Sequence, residues 1–253
     1  MTRRRSAIGS FFTILMIISA SALVAQSGTD QVRLFQSYFF DTPIAKTNHV
    51  QPELSHSSYD HLGVLTIGAA GGYVVNPKLE VLGGLDYESW NYDSDFIDDQ
   101  SGLSDLTVVG RYKLTEGKPT QFAAGALLTL PIGSEDIGAG NLNFGGFAAV
   151  RHPLKNGAVI TGNAALLLEE AVNDKGEDDR ETSLELAGGV IYPMNNQVSI
   201  VGELTIKGDK DYMLLSGGVD YVMGNGRLRG MLGLGLDDNA PDFQIVAGYL
   251  LTL

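Results

Sequence analysis

From about residue 47 onward, apolar and polar side chains alternate with a period of two over stretches of ten or so residues. Leu106, Val108, Gly110, Tyr112 and Leu114 make one face of such a stretch, and Asp105, Thr107, Val109, Arg111 and Lys113 the other. Val198, Ile200, Gly202, Leu204 and Ile206 oppose Ser199, Val201, Glu203, Thr205 and Lys207 in the same way. Successive strand side chains point to opposite faces, so each stretch is a strand with one oily side and one polar or small side. The pattern predicts about twelve strands, near 47–55, 62–74, 79–90, 103–114, 120–131, 142–152, 158–169, 182–192, 197–207, 212–222, 227–236 and 241–253. Pro52 makes the first the weakest of these, because proline cannot donate to a strand ladder.

The connections alternate in length. Short turns rich in Pro, Gly and Asn fall at 76–78, 115–119, 153–157, 193–197 and 223–226. Generally longer loops fall at 91–102, 132–141, 170–181, 208–211 and 237–240. Transmembrane β-barrels show this rhythm, with short periplasmic turns, longer outer loops and an even number of strands of about ten residues. The predicted fold is therefore all-β: a single antiparallel up-and-down transmembrane barrel of about 12 strands, with both termini in the periplasm. Closure also removes the two unpaired edges that an open meander would expose. A soluble β-sandwich or lipocalin-like barrel is the competing reading of the same period, with apolar faces turned inward. Aromatic residues argue for the membrane. Tyr87, Phe144 and Phe243 fall at outer strand ends, with Trp90 nearby, and Tyr73, Tyr112, Phe122, Tyr192, Tyr221 and Tyr249 at inner ends. Two such girdles mark the lipid–water boundaries.

The first 25 residues follow a different rule. Arg3, Arg4 and Arg5 precede an apolar run from Ala7 to Val24, which ends among the small residues Ala20, Ser21, Ala22 and Ala25. That is the layout of a secretory signal peptide, and it sets the domain organisation. Residues 1–25 are the signal, 26–46 an N-terminal segment, and 47–253 the barrel. Within the N-terminal segment, Phe35, Tyr38, Phe39 and Phe40 could plug the lumen, add a strand or trail in the periplasm. The expected location is the outer membrane.

Charge and composition sharpen this. The chain has 253 residues, a formal charge of −13, 32 glycines and no cysteine. Losing the three arginines of the signal takes the charge to −16. Such an acidic chain excludes a nucleic-acid partner, because phosphate binding needs clustered cations. Of 30 acidic residues, 17 lie in or beside the longer loops, accompanied only by Lys175, Arg180 and Lys210. Zero cysteine removes disulfides, thiolate metal sites and cysteine nucleophiles together.

Certain segments resemble a known family. Gly102-Leu103-Ser104-Asp105-Leu106, running on to Gly110-Arg111-Tyr112-Lys113-Leu114, is similar to a strand of the outer-membrane proteins labelled after the meta pathway of phenol degradation. Leu130-Pro131-Ile132-Gly133-Ser134 resembles that family's strand exit, and the hairpin from Gly233 to Phe243 its ending. The resemblance covers roughly 47–253. It implies a barrel that transports small, apolar or aromatic molecules. One departure is Leu253, where barrels of this kind commonly end in an aromatic residue read by the assembly machinery.

With the apolar face toward lipid, the opposite face lines the lumen. That face carries Glu53, Glu80, Asp86, Glu88, Asp105, Arg111, Lys113, Arg151, Glu185, Glu203, Lys207, Asp220, Arg227 and Arg229. Eight acids and six bases differ from the one-signed lining of a strongly ion-selective pore. Twelve strands lie between the filled barrels of about eight and the open channels of 16–18. A narrow pore or ligand cavity and a salt-bridged plug both follow from such a face. The expected function is a channel or transporter for small molecules through a mixed-charge lumen. Its alternatives are a non-conducting structural or surface-contact barrel and, more remotely, a lipid-modifying enzyme using His56 and Ser58 on one strand face, within a polar loop at 55–60. No catalytic, cofactor-binding or metal-ligating set is assigned and no cofactor is expected. The acids Asp93, Asp95, Asp98 and Asp99 lack the glycine and closing glutamate of a calcium loop, with Phe96 and Gly102 in those places, and read as a solvated loop, as do Asp174, Glu177, Asp178 and Asp179. The expected partners are outer-membrane lipid and lipopolysaccharide, the barrel-assembly machinery and a small-molecule permeant.

Overall fold

A computed structural model describes residues 31–94, 96–172, 178–208 and 210–253. The signal segment and the acids Asp95, Asp174 and Glu177 lie outside the described residues. The strands are β1 (His49–Tyr59), β2 (Leu62–Asn76), β3 (Leu79–Tyr92), β4 (Gln100–Leu103), β5 (Leu106–Lys113), β6 (Gln121–Leu130) and β7 (Asn143–Pro153). They continue as β8 (Val159–Val172), β9 (Asp178–Pro193), β10 (Val198–Lys207), β11 (Tyr212–Met223), β12 (Gly226–Gly235) and β13 (Phe243–Thr252). All pairings are antiparallel, and β1 bonds to both β2 and β13, so the sheet closes on itself. Strands β4 and β5 both pair with β3 and are two pieces of one stave, interrupted at Ser104 and Asp105. The result is a closed barrel of twelve staves.

The direction of the side chains separates a membrane barrel from a soluble sandwich. Ile67, Tyr73 and Leu166 are more than half exposed on the outer surface, while Glu80 and Arg111 are fully buried inside. A soluble protein would bury the aliphatic face and expose the charges. Tyr87, Phe144 and Phe243 are exposed near the longer loops, and Tyr73, Tyr112, Phe122 and Tyr221 near the short turns. Trp90 lies on the inner face instead, where its Nε1 donates to Glu88 at 2.7 Å.

Three boundaries differ from the sequence expectation. Strand β1 runs four residues further, so His56, Ser57 and Ser58 belong to a strand and not to a polar loop. Pro52 is accommodated by a gap in the β1–β13 ladder between the Val50–Leu251 and Glu53–Gly248 pairs. Strands β8 and β9 extend through Glu170–Arg180 pairing, which shortens the acidic loop between them.

Residues 31–46 are not a strand. They enter the barrel from the short-turn end, turn around residues 35–42 and return to the same end. Gln31 and Lys46 both lie beside Asn225 and Gly226 of the short β11–β12 hairpin, whereas Gln36 reaches Gln244 of β13 well inside. The barrel interior is therefore filled by this loop.

Candidate functional site: the occluded lumen

Two kinds of contact hold the loop. Apolar contacts come first. Val32 and Leu34 pack on Val159, Ile191 and Val201, and Tyr38 and Phe40 pack on Leu82, Val109 and Phe147. Inward glycines provide the room: a methyl group at Gly84 would sit 2.7 Å from Phe39 Cζ, and one at Gly218 would sit 2.6 Å from Phe35 Cε2. Gly84 and Gly218 are thus sockets for the rings of the loop.

Polar contacts are more numerous. Glu80 on β3 accepts from Arg33 at 2.9 Å and from Arg111 at 2.6 Å, and lies 3.7 Å from His49. Asp41 bonds the Thr161 hydroxyl at 2.8 Å and lies 3.6 Å from Arg151, whose Nη1 donates to the Val32 carbonyl at 2.8 Å. Arg229 donates to the carbonyls of Arg33 and Leu34 at 2.6 and 3.1 Å, and its guanidinium stacks 4.5 Å over the Phe35 ring. Glu203 on β10 receives four bonds at once. The backbone N–H groups of Phe35, Gln36 and Ser37 reach it at 2.8, 3.0 and 2.9 Å, and the Ser37 hydroxyl at 2.6 Å. Charge-assisted bonds of this kind are the strong ones, and consecutive N–H groups converging on one carboxylate form an anion nest.

The residues singled out on the polar face divide into groups. Glu80, Arg111, Arg151, Glu203 and Arg229 meet the loop directly. Asp220 pairs with Arg227 and, at 3.2 Å, with Arg229. Glu185 and Lys207 face each other at 3.9 Å. Lys113 lies at the short-turn end beside Ile44 and Lys46. Glu53, Asp86 and Glu88 have no ion-pair partner among the described residues. Asp105 sits in the β4–β5 interruption, where its carboxylate accepts from the N–H groups of Gly133 and Ala139 at 2.9 and 2.8 Å. It fastens a loop. His56 is exposed on the outer face of β1 while Ser57 points inward to Gln244. Sequence reasoning left Arg33, Asp41 and Ser37 out altogether, because nothing local marks them.

The sequence from residue 41 to 253 matches the family model described as "Putative MetA-pathway of phenol degradation". The chain belongs to that family. No curated protein sequence matches it. Among solved structures, it is similar to an outer membrane channel from Pseudomonas putida F1, with a TM-score of 0.71 and 14% identity over 87% of this chain and 100% of the other. The NanC porin matches with a TM-score of 0.57 and 12% identity, covering 81% of this chain and 100% of that one. The KdgM porin, solved in complex with disordered oligogalacturonate, gives 0.54 and 12%, covering 80% and 99%. The shared feature is the fold: these solved neighbours are outer-membrane barrels.

Proposed function

We propose that the protein is an outer-membrane channel for small molecules, held closed by residues 31–46. The carrying observation is the way the loop is seated. Its main-chain and charged groups bond to wall residues that water can hydrate once the loop leaves, while the wall is closed by its own main-chain ladder. Displacement therefore costs contacts without opening the barrel. The short turns face the periplasm and the longer, acidic loops face outward. The permeants are small molecules with apolar or aromatic bodies, passing along a lumen of mixed charge by diffusion, with no covalent step.

Planar-bilayer recording tests this. Glu203→Ala removes the acceptor of four bonds from the loop, so its open probability rises well above that of the wild type. A folded Glu203→Ala barrel that stays silent supports the non-conducting alternative and ends this reading.

A further inference from the structure

We propose that the lumen holds a binding site for a small organic cation, an ammonium group on an aromatic or apolar body. The site is a cavity of about 200 Å³ on the long-loop side of residues 31–46, between that loop and the wall formed by β1, β2 and β3. The proposal rests on the channel reading for how a solute arrives, but the site itself is argued from its walls.

Two of those walls differ in chemistry. One is aromatic: Phe35, Tyr38 and Phe39 of the loop face the cavity. The other carries Glu53 and Asp86. Glu53 pairs with Gly68 across β1–β2, and Gly68 pairs with Asp86 across β2–β3, so the two carboxylates share one row with only hydrogen between them. The Asp86 carboxylate leans over Gly68 toward β1, where even a methyl group would meet its Oδ1 at 1.7 Å. Among the described residues no lysine or arginine lines the cavity. Glu53 receives one bond, from Gln51 Nε2 at 2.9 Å, and the Asp86 carboxylate receives none among the described residues.

The neighbouring cation is already committed. Arg229 divides its guanidinium among Asp220 at 3.2 Å, Gln51 at 3.0 Å and the carbonyls of Arg33 and Leu34. Glu80, Glu203 and Asp220 each have cations or several N–H donors; Glu53, Asp86 and Glu88 do not, and of these Glu53 and Asp86 line the cavity. Two like charges in a confined, partly dehydrated space raise each other's energy, and a bound cation relieves both. Phe35 and Tyr38 already have the guanidinium groups of Arg229 and Arg33 over their rings, at 4.5 and 4.9 Å, so Phe39 is the ring that offers the guest cation an open aromatic face. A metal ion needs a converging set of ligands, and no group of three His, Asp or Glu side chains among the described residues forms one. The combination of two carboxylates and three rings suits an alkylammonium better than a bare ion. At about 200 Å³ the cavity is below the roughly 300–1,000 Å³ that hold drug-sized ligands, which limits the guest to about one ring. The acidic outer loops concentrate cations at the mouth.

Titration calorimetry of the full chain, folded in detergent, tests the site without requiring conduction, so failure of the site and failure of the channel are distinct results. The probes are benzylammonium, its neutral analogue benzyl alcohol and its anionic analogue benzoate. Benzylammonium binds, and the two analogues do not. Glu53→Gln combined with Asp86→Asn weakens benzylammonium by about tenfold or more. Asp86→Asn alone, which removes no bond the fold uses, and Phe39→Leu each weaken it severalfold and guard against a double variant that fails to fold. Equal binding of benzyl alcohol, undiminished binding in all three variants, or displacement of benzylammonium by equimolar calcium overturns the proposal.

Discussion

Glu80 and Asp86 stand three turns of the pleat apart on one face of β3, yet they have opposite electrostatic surroundings. Glu80 is fully buried against Arg33 and Arg111. Removing its charge leaves two buried guanidinium groups facing each other, and breaking a buried pair costs about 3–5 kcal/mol. Asp86 has no cation within ion-pair distance among the described residues, so its neutralisation removes repulsion toward Glu53. Glu80→Gln is therefore expected to lower the urea midpoint of the detergent-folded barrel, and Asp86→Asn to leave it unchanged or raise it. The loss of the compact, heat-modifiable band on cold gels measures both. Equal destabilisation by the two substitutions would show that packing rather than charge decides their roles.

At the level of elements, the staves were legible because lipid on one side and polar groups on the other impose an uninterrupted period of two. Leu106 to Leu114 and Val198 to Lys207 carry that signal throughout. Where the outer face stops being apolar the signal fails: His56 and Ser58 lie outward near the end of β1, and their polarity disguises a strand as a loop. Parity alone puts Glu80, Arg111, Arg151, Glu203 and Arg229 on the face opposite the apolar one, where they are buried, but it says nothing of what they bond to. The occluding loop was not legible. Its bonds join Ser37 to Glu203 and Gln36 to Gln244, pairs separated by 166 and 208 residues, and no local pattern can express contacts of that range. The β4–β5 interruption was hidden as well, because Asp105 keeps the parity of a strand residue while bonding to the 132–141 loop. Its two N–H bonds, to Gly133 and Ala139, are worth about 1–2 kcal/mol to that loop. Asp105→Ala is expected to speed hydrogen exchange at Gly133 and Ala139 while leaving the β5–β6 ladder protected. Slowed or unchanged exchange at both positions would mean that the loop is held by Ser134, whose hydroxyl accepts from Leu103 N at 2.9 Å.

Across the whole molecule, charge is distributed along the barrel axis. The short-turn end carries Lys78, Lys118 and Lys155 with Glu116, and the entry of the loop adds Lys46. The opposite end carries Asp60, Asp93, Asp98, Asp99, Glu135, Asp136, Asp237, Asp238 and Asp242, among others. The molecule is thus a dipole whose negative pole coincides with its longer loops, and the cavity with Glu53 and Asp86 opens on that side of the occluding loop. The orientation in the membrane decides what this polarity does. With the acidic end outward, external cations are drawn toward the cavity, while residues 31 and 46 lie at the periplasmic end; inverted, the same acidic loops attract cations from the periplasm. Because the chain has no cysteine, single cysteines report sidedness without background. Phe96 is 97% exposed at the tip of the β3–β4 loop, and Asn225 sits in the short β11–β12 turn. A membrane-impermeant maleimide applied to intact cells is expected to label Phe96→Cys at once and Asn225→Cys only after the outer membrane is permeabilised. The reverse order would place the acidic loops in the periplasm, and with them the mouth of the cation cavity, so that the protein would collect its solutes from inside the cell envelope.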